Sequence, residues 1–134
     1  EISRCDWSSD VCSSDLDTPL KIFNANSATL LESLKLGAAG FCGVMLNFHP
    51  ELYGWLCRNW RKNMQKAQKL QDFATVASLI ELQNYPTNAK YHMSLSGVPI
   101  GLVTRSKDYA GFQELQKSEV QALYQCWQNY SAIL

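Results

Sequence analysis

Along residues 18–134 the apolar positions change their spacing several times, and each change predicts an element. Lys21–Ala25 (Lys-Ile-Phe-Asn-Ala) is a short apolar run behind Pro19, which predicts a buried strand. Leu30, Leu31 and Leu34 then fall on one face of a short helix, with Asn26 or Ser27 placed to cap it and Gly37 just past its end. Gly40–Leu46 (Gly-Phe-Cys-Gly-Val-Met-Leu) is a second apolar run without polar alternation. A strand of that kind belongs in a parallel sheet covered on both faces. Strand, short helix and strand within about 25 residues make a βαβ unit.

Helical spacing takes over from Pro50, which suits the first turn of a helix capped by Asn47 or His49. That helix is predicted to reach Lys62 and to stop at Asn63 in the left-handed conformation. A second helix is predicted over Gln65–Gln83, with Leu70, Phe73, Ala77 and Ile80 on one side. Pro86 opens a third over Thr87–Ser96, closed by Gly97 and Pro99. Asp108 is placed to cap the last, which carries Phe112, Leu115, Val120, Leu123 and Trp127. Two strands and four helices make an awkward free-standing domain, because a two-stranded parallel sheet has open edges on both sides. The pattern fits the tail of a longer β/α chain.

Composition changes that picture at the amino end. The 134 residues carry twelve basic and twelve acidic side chains, hence zero formal charge. Four of the acids (Glu1, Asp6, Asp10, Asp15) and one base (Arg4) lie in the first sixteen residues. Without them the chain has eleven bases and eight acids, so the remaining 118 residues carry +3. The first sixteen also hold five serines, Cys5, Cys12 and Trp7, with no helical or strand period and no signal-peptide pattern. Cys5–Leu16 (Cys-Asp-Trp-Ser-Ser-Asp-Val-Cys-Ser-Ser-Asp-Leu) resembles a translated sequencing adapter over twelve consecutive residues. Residues 1–16 are therefore expected to be a library scar, a native flexible tail being the other reading. The expected division is 1–16 as that segment, 17–62 as two β/α units, and 63–134 as a helical extension.

Candidate chemistry is sparse. Cys42 and Cys57 stand 15 apart with no partner pair, which predicts no metal site. Cys42, Cys57 and Cys126 read as unpaired, buried cysteines suited to a reducing cytoplasm. His49 and His92 lack a neighbouring acid or cysteine arrangement, so helix-cap and surface roles are expected for them. Gly37, Gly40 and Gly43 do not form the dinucleotide pattern and read as a helix stop and small residues under a tight strand. Arg58, Arg61, Lys62, Lys66 and Lys69 predict a solvated basic face rather than a nucleic-acid contact. Trp55, Trp60 and Trp127 read as helix-packing anchors. No apolar run reaches 18 residues, so no membrane span is predicted.

Several short motifs point to a family when taken in order. Leu20-Lys-Ile-Phe-Asn-Ala25, Leu36-Gly-Ala-Ala-Gly40, Asn47-Phe-His-Pro50, Ala67-Gln-Lys-Leu70 and Tyr85-Pro-Thr-Asn-Ala-Lys90 fall in the order and spacing of one family. Residues 18–134 thus resemble the C-terminal part of the dihydrodipicolinate synthase / N-acetylneuraminate lyase family of class I aldolases. The resemblance implies an α/β fold, a partial (β/α)8 TIM barrel comprising strands 7 and 8 with their helices, plus the family's C-terminal helical extension.

It also implies a chemistry. Family members form a Schiff base between pyruvate, or a related 2-keto acid, and a lysine on the sixth strand. A tyrosine on the fifth strand relays protons, and a Thr-Thr pair after the second binds the carboxylate. All three are expected to lie before residue 17, so no catalytic residue is assigned here and the fragment is expected to be inactive alone. Lys21 begins a strand at its wrong end and Lys90 lies on a helix outside the barrel, so neither is expected to form the Schiff base. What the resemblance assigns is wall. Ala25 takes the place of a glycine beside the keto acid, and Cys42 that of an apolar residue packed on the pyruvyl group. Ser27, Ala28 and Val44 replace the polar residues by which neuraminate lyases hold a sugar, which argues against a sialic acid. No cofactor, nucleic acid or membrane partner is implied, and the intact enzyme is expected to be a homo-oligomer. A small helical interaction or nucleic-acid-binding module is the alternative.

Overall fold

The computed structural model describes residues 21–105 and 109–132. The adapter-like segment and the Asp108 cap lie outside the described residues. Two strands, β1 (Phe23–Asn24) and β2 (Gly40–Phe41), pair in parallel with Phe23 opposite Gly40 and Asn24 opposite Phe41. The ladder extends by one bond on each side, Ala39 N–H to the Ile22 carbonyl at 2.7 Å and Cys42 N–H to the Asn24 carbonyl at 2.8 Å. Between the strands a 3-10 turn (Ser27–Thr29) runs into helix α1 (Leu30–Lys35). The Asn26 side chain caps that turn by accepting from Ala28 N–H. Leu30, Leu31 and Leu34 are all buried, as their spacing predicts. Gly37 ends the helix at φ +102°, a conformation that a side chain would strain.

Both strands are shorter than the apolar runs around them. In place of a strand reaching Leu46, the chain turns at Gly43 into a 3-10 segment, Val44–Asn47, which drives Met45 into the core. Nor is β1 buried on both faces: Asn24 is enclosed, while Phe23 is half exposed. An apolar run records burial but not the period that achieves it.

Helix α2 (Pro50–Asn59) begins with Pro50 in its first turn and ends three residues short of Lys62. Asn63 does not take the left-handed conformation there. Its φ is −151° and its side chain accepts from Lys66 N–H, so it caps the following helix α3 (Met64–Ala77). A 3-10 segment, Ser78–Leu82, continues α3. Helix α4 (Thr87–Leu95) is followed by Gly97 at φ +86°. The final helix, α5 (Glu114–Ser131), starts with a capping box between Gln113 and Gln116. Phe112 is buried just before it, and Leu115 points to solvent rather than to the core.

The core gathers Leu30, Met45, Leu52, Leu56, Leu70 and Val120, each fully enclosed. Helix α3 lies against α1, its leading turn and α2, while α4 packs on α5. One polar side chain spans this packing. Gln71 of α3 accepts from Leu31 N–H at 2.8 Å and donates to the Ser27 carbonyl at 2.8 Å, satisfying two backbone groups at the head of α1. Ser27 also accepts from the Tyr53 hydroxyl of α2 at 3.1 Å. The turn that leaves β1 is therefore held from two helices.

Candidate functional site at the carboxyl ends of the strands

In parallel α/β architectures, sites form where the strands end, in the loops beyond their carboxyl termini. Here those ends are Ala25 and Cys42, and both are exposed at the same edge of the pair. Ala25 is placed by its neighbour. The Asn24 amide is fully buried and donates to Thr29 Oγ1 at 3.1 Å and to Ser33 Oγ at 2.8 Å, while its oxygen accepts from Asn26 N–H at 2.7 Å. That last bond turns the chain sharply after the strand. Gly43 brings the second loop against the first. A Cβ built on it would lie 2.5 Å from the Ala25 carbonyl oxygen and 2.5 Å from the Phe41 ring. Both loops thus converge on one narrow rim.

Behind the rim the surroundings are aromatic and neutral. The Phe41 and Tyr53 rings stack with centroids 4.4 Å apart and planes 13° off parallel. Burial pushes the Tyr53 phenol up to about 12, outweighing the opposite effect of its hydrogen bond to Ser27. Burial likewise raises the half-buried Cys57 thiol, so it is a packing group rather than an activated nucleophile. The rim segments, residues 25–29 and 42–47, carry no lysine, histidine or carboxylate. Such a surface can shape and line a pocket, but it has no amine for imine chemistry.

The lysines weighed from sequence lie elsewhere. Lys21 is exposed at the amino end of β1. Lys90 donates its ammonium to the Val103 carbonyl. The cysteine expectation needs correcting: Cys42 and Cys126 are exposed, and Cys57 is half-buried. In a two-stranded sheet, the side chain at the end of β2 has no further strand over it.

The histidine expectation is also overturned. His49 stands at the cap position of α2 without capping it, and both His49 and His92 are fully buried. Among the described residues no three His, Cys, Asp or Glu side chains lie close enough to hold a metal ion. Of the basic series, Arg61 sits over the Trp60 ring at 4.5 Å and Lys66 over Trp55 at 4.7 Å. Trp55 and Trp60 are half-buried against the core, and Trp127 lies within it. An apolar groove of about 700 Å³ separates α3 and its 3-10 continuation from α5, and no residue of either strand lines it. No described helix is long and apolar enough to cross a membrane.

Asn24 is the residue that sequence reasoning passed over. Its signal was an amide inside an apolar run, followed at once by Asn26 and Ser27. A polar side chain in that place has to find partners. Ser33, whose hydroxyl also donates to the Leu30 carbonyl at 2.7 Å, is the partner one helix turn away.

No curated protein and no solved structure matches this chain. A family model does, over residues 11–126, which is most of the length and takes in both strands and helices α1 to α4. The parallel βαβ unit is compatible with this match, and the chain belongs to the dihydrodipicolinate synthetase family, a family of pyruvate-type aldolases and lyases.

Proposed function

We propose that the chain forms the last two β/α units and the C-terminal helical extension of a (β/α)8 barrel that acts on pyruvate or a related 2-keto acid through a Schiff base. The observation that carries this reading is the parallel register of β1 and β2, with Ala25 and Cys42 side by side at the carboxyl edge. In the proposed chemistry a neutral lysine amine adds to the ketone carbon and water leaves. In cleavage the resulting iminium accepts the electron pair of the breaking carbon–carbon bond and becomes an enamine. In condensation it first loses a proton to give the enamine, whose electron pair forms the new bond. That lysine, with its tyrosine partner, belongs to strands other than β1 and β2. This chain contributes the wall: Ala25 narrows the pocket beside the keto acid, and Cys42 packs against its pyruvyl end.

The sugar reading loses support from the same loop. Ser27 turns inward to hold Tyr53 and Gln71, and its neighbour Ala28 has no polar side chain to offer a hydroxylated substrate. We propose a short keto acid as the substrate and a homo-oligomer as the working form of the intact enzyme. Its chemistry runs on an amine and calls for no cofactor.

The chain alone is expected to trap no substrate. Incubated with pyruvate and borohydride, it should gain no mass by intact-protein mass spectrometry. Reduction of a Schiff base onto any of its lysines would overturn the assignment of the reactive amine to other strands.

A further inference from the structure

His49 and His92 come from elements 43 residues apart in sequence and meet at the centre of the helical packing. Their ring centroids lie 5.3 Å apart with planes 77° from parallel, and their exposures are 0% and 1%. All four ring nitrogens are buried, with no hydrogen-bond partner among the described residues. Around them stand Phe73 of α3, 5.3 Å from His49, and Trp127 of α5, 5.0 Å from His49. Phe48, before α2, lies 5.1 Å from His92, and Tyr124 of α5 lies 5.4 Å from it. The pair thus touches the start of α2 and every helix after it.

A buried imidazole without hydrogen bonds is costly, and a phenylalanine would pack in the same space without that cost. What histidine adds is the capacity to take up a proton near neutral pH. We propose that the His49–His92 pair is an acid-triggered latch, which holds α4 and α5 on α2 and α3 while both rings are neutral and releases them when the rings are protonated. A single imidazolium here would have no counter-charge among the described residues, and two would face each other across 5.3 Å. The groups that face the pair are Phe48, Phe73, Trp127 and, as the other titratable one, the Tyr124 phenol. No carboxylate forms an ion pair with either ring among the described residues.

Burial, reinforced by the neighbouring ring, lowers His49 to about 3, and burial lowers His92 to about 4. In the released state both return to an ordinary value of about 6.5. The closed state therefore has its full advantage above about pH 6.5 and loses it progressively as the pH falls towards 4 and 3. With two protons taken up per release, the opening constant rises on the order of several hundredfold between pH 7.5 and 5.0, and about thirtyfold with one.

Amide hydrogen exchange of the intact chain, corrected for the intrinsic pH dependence of exchange, reads this constant helix by helix. Protection in α4 and α5 is expected to fall several hundredfold between pH 7.5 and 5.0, with a much smaller change in α3. His92→Phe should reduce that fall to about thirtyfold, and the double variant with His49→Phe should nearly abolish it. An equal fall in the double variant, or the same fall in every helix, overturns the latch. The imidazole C2 proton shifts of these two histidines, the only two in the chain, provide a check that needs no variant. They should stay at their neutral positions down to pH 5 in the folded protein. A ring that titrates near 6.5 while α4 and α5 remain protected refutes the proposal.

Discussion

Replacing Asn24 with leucine is expected to cost about 3 kcal/mol, although leucine has a similar size and suits an apolar strand. The loss comes from the groups left behind. With the amide gone, the Asn26 N–H loses its acceptor, and the Thr29 and Ser33 hydroxyls lose their donor. A buried polar group deprived of its partner costs about 1–3 kcal/mol, and here the Asn24 side chain is fully enclosed. Ser33 still has the Leu30 carbonyl, and Thr29 is exposed to water, so the full sum of three such costs is not expected. Urea denaturation followed by circular dichroism measures the difference. A change below about 0.5 kcal/mol, the range of surface substitutions, would show that the turn after β1 is held by Gln71 and Tyr53 without Asn24.

Gly43→Val is the second large effect. Gly43 has ordinary extended backbone, φ −133° and ψ 165°, so its lack of a side chain is not a matter of conformation. Space decides it: a Cβ would come within 2.5 Å of the Ala25 carbonyl oxygen, a backbone atom that cannot rotate away. The two loops have to separate, and Phe41 has to leave its stack with Tyr53. Overpacking of a tight site costs about 1–3 kcal/mol and sometimes more, and the contact with backbone places this case at the upper end. Alanine at the same position meets the same clash at Cβ, so Gly43→Ala should lose nearly as much. If alanine proves neutral by thermal and urea melts, the loops do not approach as closely as described.

Periodicity carried the helices well, and the reason lies in their leucines. Leu30, Leu31, Leu34 and Leu70 face inward because an isolated helix of these lengths is stabilised mainly by burying one side. The parallel pairing was legible for a similar reason: two apolar runs joined by a short helix leave few alternatives. The strand lengths were not. Gly40–Leu46 reads as uniformly apolar, yet only Gly40 and Phe41 are strand, since the close approach at Gly43 turns the chain and Met45 is buried from a 3-10 segment.

Asn63 shows a different ambiguity. Asparagine both tolerates the left-handed conformation that ends a helix and caps the start of one. Between two helices so close together the sequence allows either, and the structure takes the second. The edge where Ala25 and Cys42 follow the two strands was legible as a place in the fold, because the resemblance located the strands. Its construction was not, because the partners of Asn24 and the clash space of Gly43 are tertiary facts. The histidine pair lay furthest from reach: nothing in the spacing of His49 and His92 says that they share one enclosure.

In the proposed enzyme, residues 17–134 supply the closing wall of a keto-acid site whose reactive lysine stands on another strand. A chimera tests it most directly, with residues 17–134 replacing the corresponding C-terminal part of an active dihydrodipicolinate synthetase family enzyme. Borohydride trapping with pyruvate is then read by mass spectrometry on the folded hybrid. One reduced pyruvyl adduct per chain is expected, on the sixth-strand lysine of the host enzyme. A chimera that folds with intact circular dichroism yet traps no pyruvate would contradict it.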